Sequence, residues 1–256
     1  MPMMADAFDP FLSVIVPSYN ERINLERRAL DELLAYLKQQ TYGWELILSD
    51  DGSTDGTAAE LARFAQQDER IQVINNIHAG KGPTVAAGML AAKGQWRLFT
   101  DFDQSTAITE LAKLLPHTEA NQVVFGSREI KGARRDKEPF YRHLMGRGFN
   151  LLVQLLAVPG VQDTQCGFKL FSAEAAKTLF PRLYVYGSRT KRSDPFTGAF
   201  DVELLFLARK RGFAIKEVPI VWRHHDTDRV NPVKDSLRML WDIIRIRWAA
   251  LRGKYR

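Results

Sequence analysis

Four short apolar runs each stop at a turn-prone or polar cluster, and helix-periodic stretches fill the spaces between them. The runs are Leu12–Pro17, Trp44–Leu48, Ile71–Ile74 and Trp96–Thr100. Helical spacing covers Leu25–Gln40, with Leu30, Leu33, Leu34 and Leu37 on one face, then Thr57–Gln67 and Thr84–Ala92. A helix near Ile108–Leu115 and a strand at Gln122–Phe125 continue the series. This alternation predicts an α/β fold: a mostly parallel central sheet with helices on both faces. Such sheets bind ligands beyond the carboxyl ends of their strands. Here strand one ends in Pro17-Ser18-Tyr19-Asn20-Glu21, strand two in Asp50-Asp51-Gly52-Ser53 and strand four in Asp101-Phe102-Asp103. Three polar, mostly acidic clusters then share one sheet edge, and the site is expected there.

Asp101 and Asp103 are two residues apart, so in extended backbone both carboxylates point to one side. Like charges that close raise each other's pKa unless a cation neutralises them. Mg²⁺ or Mn²⁺ suits the pair, since a hard ion takes one or two carboxylates and fills its other positions with phosphate and water. The alternative is a solvated turn ahead of the helix near Ile108. At Asp50-Asp51, the segment Ser53–Asp55 reads as a turn and helix cap. Two adjacent carboxylates exceed what a cap needs, and one is expected to accept hydrogen bonds from a ligand base or ribose. His78-Ala79-Gly80-Lys81-Gly82 lacks the phosphate-loop spacing, and no Gly-x-Gly-x-x-Gly follows strand one. ATPase and dinucleotide-dehydrogenase readings are poor. The backbone amides at that helix start can still approach a nucleotide phosphate.

Charge is unevenly placed. Lys234–Arg256 holds seven basic and two acidic residues, five of the chain's net charge of +6. A weakly charged body with a basic tail argues against nucleic acid and points to an anionic membrane surface. The tail carries Leu237, Leu240, Trp241, Ile244, Trp248 and Leu251 at helical spacing, flanked by arginines. It is expected either to pack on the domain or to lie in a lipid interface; pairing with a second subunit stays open. Residues 1–233 are expected to form one domain and 234–256 a basic amphipathic helix. No apolar run reaches the ~20 residues of a membrane span. Met1–Pro10 has no secretory pattern, and the single cysteine, Cys166, suits a reducing compartment. A cytoplasmic protein, peripheral to a membrane, is expected.

Val14-Ile15-Val16-Pro17-Ser18-Tyr19-Asn20-Glu21, Asp50–Asp55 and Asp101-Phe102-Asp103 together resemble family 2 glycosyltransferases of the GT-A fold. Gly126-Ser127-Arg128, the block Asp163–Phe171 and Phe200–Leu205 look like dolichyl-phosphate β-glucosyltransferases and, less closely, dolichyl-phosphate mannose synthases. The first-half motifs are shared by many family 2 enzymes, whereas the Asp163–Phe171 block is far more specific. The resemblance implies transfer of glucose from UDP-glucose to a polyprenyl phosphate with inversion, giving a β-linked product. GDP-mannose as donor and a glycan as acceptor are the rivals. Pro17, Tyr19, Glu21, Asp50, Lys81 and Asp101 are then nucleotide contacts, and Asp101 and Asp103 hold the metal. Arg128, Arg142 and Arg147 are the acceptor-phosphate candidates, arginine's fork being suited to phosphate. Asp101, Asp103 and Arg128 carry the catalysis. Asp163, Gln165 and Lys169 line the sugar and acceptor side. Asp201 and Glu203 either orient the sugar or pair with arginines. Cys166 reads as a packed small residue rather than a nucleophile. Arg223–Arg229, with His224-His225-Asp226, reads as a diphosphate-contacting or lid segment.

Overall fold

The computed structural model describes residues 10–136, 153–154, 156–187, 198–224 and 232–256. Four strands run parallel: β1 (Leu12–Ser18), β2 (Trp44–Asp50), β3 (Ile71–Asn75) and β4 (Trp96–Thr100). Beyond them lie β5 (Val123–Ser127), β7 (Phe168–Ser172) and β8 (Ile215–Pro219). The sheet order is β3-β2-β1-β4-β7-β5-β8, and β6 (Arg134–Asp136) pairs with β9 (Val221–Arg223) in a separate two-stranded sheet. Strand β7 is antiparallel to both β4 and β5, while β5 and β8 are parallel. Every strand of the large sheet except β7 therefore points the same way. This is the expected GT-A-like architecture, and the reversed β7 is the part that the alternation did not foretell.

Alternate residues of the strands feed two cores. Ile15, Ile47, Phe99, Phe125 and Phe171 face one layer; Val14, Val16, Leu46, Leu48, Leu98 and Leu170 face the other. A sheet buried on both faces reads as continuous apolar runs, which explains the first sequence signal. On one side sit α2 (Ala29–Lys38), α3 (Thr57–Ala65) and α5 (Leu111–Leu114). On the other lie α4 (Lys81–Ala91), α6 (Ala173–Leu179), α7 (Phe200–Lys210) and α8 (Pro232–Leu251). Each buried leucine of α2 contributes about 2 kcal/mol over its exposed state.

Two helix boundaries differ from expectation. The run from Leu25 splits into α1 (Arg22–Glu26) and α2, with Arg28 in the left-handed region at φ 59°. Helix α1 buries no residue, so the leucine stripe that holds α2 begins only at Leu30. Helix α4 starts at Lys81 rather than Thr84. Pro83 fits in this first turn because it lacks only an N–H that has no helical partner anyway. The boundary expected at 233/234 falls inside the first turn of α8. No helix among the described residues is long and apolar enough to cross a membrane.

Candidate functional site

Strand direction decides what meets at the carboxyl edge. The ends of β1, β2, β4 and β5 lie there, and so does the amino end of reversed β7. Asp50, Asp101, Arg128 and the block 163–167 are therefore gathered from four separate stretches of chain. β7 brings its block in by pairing Phe168 with Thr100, and Asp101 N then donates to Gly167 O at 3.1 Å. A Cβ on Gly167 would stand 2.0 Å from Asp101 Oδ2. Only glycine admits the carboxylate there.

Asp50 and Asp51 build the loop between strands. The Asp50 carboxylate accepts hydrogen bonds from Ser18 Oγ at 3.1 Å, Ser53 N at 2.8 Å and Ser53 Oγ at 2.6 Å. Asp51 accepts from Ala79 N at 2.8 Å and Gly80 N at 3.0 Å, and its Oδ2 lies 2.8 Å from His78 Nδ1. Both carboxylates are deeply buried: Asp50 ties the loop after β2 to the end of β1, and Asp51 ties it to the start of α4. Gly52, at φ 73°, takes the left-handed turn that follows them. The expected cap role is partly kept: Asp55 Oδ1 accepts from Thr57 N at 3.0 Å, beside a helix whose N-cap residue is Gly56.

Above this loop the Tyr19 ring stacks on His78, centroids 4.1 Å apart and planes within 5°. Spacing alone did not single out His78. Its Nε2 is buried without a hydrogen-bond partner among the described residues. Glu21 N donates to Thr57 Oγ1 at 2.8 Å, and the Glu21 carboxylate accepts from Asn24 Nδ2 at 2.5 Å. Pro17 is buried within β1 and serves the sheet rather than the open edge.

Next to the loop lies a charged cluster. Lys81 Nζ reaches Asp101 Oδ1 at 2.5 Å. Burial works against the Lys81 charge, but Asp101, Asp201 and Asp103 outweigh it and hold the ammonium above its ordinary pKa. The backbone does not stay extended after β4. Gln104 N donates to Asp101 O at 3.2 Å, Gln104 takes φ 50°, and Asp103 Oδ1 accepts from Ser105 N at 2.9 Å. The premise that extension aligns Asp101 and Asp103 fails, and it is a turn that keeps both near Lys81.

Lys169 and Asp201 lie beneath. Lys169 Nζ sits 2.6 Å from Asp201 Oδ1 and also donates to Cys166 O. Its side chain is wholly buried between the Phe99 and Phe125 rings. Lys169 therefore supports the edge from inside instead of lining a sugar pocket, and Asp201 pairs with a lysine, not an arginine.

Arg128, just past β5, meets Asp163 in a two-pronged pair: Nε to Oδ2 at 2.7 Å and Nη2 to Oδ1 at 2.9 Å. Its backbone N–H adds a third bond to Oδ2 at 2.9 Å. Burial opposes the Asp163 charge, but Arg128 overcomes it and lowers the carboxyl to about 2. The expectation that Arg128 offers its whole fork to a phosphate is corrected, since Asp163 occupies two of its nitrogens. Gln165 joins the group through its N–H to Asp163 Oδ1 at 3.2 Å.

Glu203 is placed differently from the expectation. It is fully buried in α7 and accepts from the N–H groups of Tyr184, Val185 and Tyr186 and from Tyr255 Oη. It clamps the chain instead of meeting sugar or arginine. Cys166 is packed as expected: burial, with help from Asp163, pushes its thiol up to about 12. Arg142, Arg147, His225, Asp226 and Arg229 lie outside the described residues.

The profile of glycosyl transferase family 2 matches residues 13–180. The chain is 35% identical to a dolichyl-phosphate beta-glucosyltransferase of Dictyostelium discoideum, over 95% of this chain and 76% of that one. It is 33% identical to the enzymes of that name from Saccharomyces cerevisiae, covering 96% and 77%, and from Homo sapiens, covering 100% and 81%. Among solved structures, it is similar to glucosyl-3-phosphoglycerate synthase from Mycobacterium tuberculosis, crystallised with Mn²⁺, UDP and glucosyl-3-phosphoglycerate. The TM-score is 0.60 at 19% identity, over 95% of this chain and 80% of that one. A mannosyltransferase from Pyrobaculum calidifontis, in complex with GDP-Man and Mn²⁺, gives 0.59 at 18%, over 93% and 65%. At these identities the two solved structures speak for the fold.

Proposed function

The chain belongs to glycosyltransferase family 2, and from that premise we propose that it moves glucose from UDP-glucose to a polyprenyl phosphate. The anomeric centre inverts, the product is a β-linked lipid phosphosugar, and the work is done at the cytoplasmic face of a membrane. The observation that carries the reading is the juxtaposition of the Lys81–Asp101–Asp103 cluster with the Arg128–Asp163 pair at one sheet edge. It supports a diphosphate on one side and a phosphate acceptor on the other, in a chain similar along its length to dolichyl-phosphate beta-glucosyltransferases.

The residues fit a divalent cation. Asp101, Asp103 and Asp201 face two ammonium groups, Lys81 and Lys169, so a nucleoside diphosphate would add negative charge to a cluster already short of cations. Among the described residues no three metal-binding side chains converge. Two carboxylates with the remaining positions left to phosphate and water is the pattern Mg²⁺ or Mn²⁺ accepts. Asp101 and Asp103 would hold the ion, which would supply Lewis-acid stabilisation of negative charge on the diphosphate.

The other tasks fall to this chain's own groups. Tyr19, backed by His78, offers a flat face to the uracil ring, and Glu21 and the Asp50 loop shape the rest of the nucleotide pocket. Lys81 places a fixed positive charge beside the diphosphate, with Lys169 and Asp201 supporting the floor. A phosphate monoester has its second pKa near ~6, so the acceptor is largely ionised at neutral pH and needs no strong general base. The remaining edge of Arg128 orients that phosphate, with Arg142 and Arg147 as further contacts.

A panel of radiolabelled sugar nucleotides with polyprenyl phosphate and Mn²⁺ tests the reading. UDP-glucose should give an organic-soluble, mild-acid-labile product. Preference for GDP-mannose would make the chain a mannosyltransferase, and transfer to glycan alone would overturn the acceptor assignment.

A further inference from the structure

Helix α8 has two apolar faces, and the fold covers one. Ile243, Ile246 and Ala249 belong to the core, and Asp242 accepts a hydrogen bond from Tyr186 Oη. Just past the helix, Tyr255 Oη donates to Glu203 at 2.6 Å. These contacts fix the rotation of the helix about its axis. Its outer face then presents Leu237, Trp241, Ile244, Trp248 and Leu251, spaced alternately four and three residues apart, at 45% to 82% exposure. No other helix among the described elements exposes more than one large apolar side chain, so the stripe is not a general feature of this surface. Exposed arginines border it. Arg238, Arg245 and Arg252 each follow a stripe residue, and Arg247 precedes Trp248. The Arg252 guanidinium lies 3.8 Å over the Trp248 ring, its stem along the apolar face and its charge at the rim.

The four-three spacing would also suit a second copy of the helix. The positions that face one another across such a pair, however, are these same arginines on both helices, and like charges there oppose association. A layer with an apolar interior and an anionic surface satisfies stripe and rim together. We propose that the outer face of α8 is a docking surface for an anionic lipid membrane, with the helix lying in the interface and Trp241 and Trp248 at headgroup depth.

The surface adjoins the site. Met239 Sδ of α8 stands 3.6 Å from Gln165 Nε2, in the block that β7 carries to the sheet edge. Docking through α8 would therefore hold that block close to the bilayer. That this delivers a lipid-linked acceptor rests on the proposed function; the docking itself does not.

Vesicles free of polyprenyl phosphate separate the two ideas. The full chain should sediment with phosphatidylcholine vesicles containing phosphatidylglycerol and not with phosphatidylcholine alone. Added salt should release part of it, because only the electrostatic share is screened. The double variant Trp241→Gln/Trp248→Gln should bind at least about tenfold more weakly, with UDP affinity unchanged. Arg238→Gln/Arg252→Gln, which leaves the stripe intact, should lose about tenfold as well and serves if the first variant does not fold. Folded variants that keep wild-type vesicle binding would overturn the proposal. So would a wild-type chain that ignores both vesicles, or a dimer that the tryptophan variant dissociates. Vesicle binding by a chain that fails to transfer glucose when polyprenyl phosphate is then added would count against the proposed function alone.

Discussion

Lys81–Asp101 and Lys169–Asp201 are the same chemical pair set in two regions. The distances are nearly equal, 2.5 and 2.6 Å. The first stands at the open edge, its side chains 22% and 35% exposed; the second lies beneath, at 0% and 9%. Water makes the difference. A pair in partial contact with solvent gains little and exchanges partners readily. A buried pair cannot lose one member without stranding the other. The open pair suits a ligand site, and the closed one suits its foundation.

Removing one lysine at a time should separate the two pairs. Lys169→Met should lower unfolding free energy in urea by about 3–5 kcal/mol, because Asp201 is left charged and buried. Lys81→Met should change it by no more than about 1 kcal/mol while sharply reducing transfer. Equal losses from the two would erase the distinction. Asp101→Asn and Asp103→Asn test the open region further. Each should cost transfer about 10²–10³-fold, with melting temperature nearly unchanged.

Acid should reach the buried region as a matter of linkage. The Asp163 carboxyl, held at about 2 against an ordinary 3.8, contributes stability above its ordinary value. That contribution should drain away as pH falls from near 3.8 towards 2. Stability measured by urea titration across this window should fall less steeply in Asp163→Asn, which starts lower because Arg128 has lost its partner. The smallest expected effect is at the open end: Tyr19→Ala should weaken UDP binding about tenfold through lost base stacking, with stability almost intact.

The two regions also differ in how far the sequence disclosed them. Strand ends at Ser18, Asp50 and Thr100 follow from apolar runs that stop at polar clusters, and that signal is local. The reversed β7 is not local. Its direction depends on what lies between β4 and β5 in space, and no periodicity within Phe168–Ser172 encodes that. For the same reason Lys169 and Asp201, 32 residues apart, read separately as site residues and only together as a buried pair. Arg128 and Asp163, 35 apart, behaved alike: each looked available to a ligand until the fold introduced them. Glu203 gave the weakest signal, since its partners are three backbone N–H groups and a tyrosine near the C-terminus. The outer stripe of α8 was legible as a pattern, but which apolar face the core would claim was not.

Calorimetric titration of UDP into the protein, with and without Mn²⁺, for wild type and Asp101→Asn, asks whether the open edge holds both nucleotide and metal. Wild-type affinity should depend on the divalent ion and be abolished by excess chelator. Asp101→Asn, folded and with an unaltered melting temperature, should lose at least about tenfold, the ion having lost a hard oxygen ligand. UDP affinity that ignores both chelator and substitution would contradict the assignment of the open edge as the nucleotide and metal site.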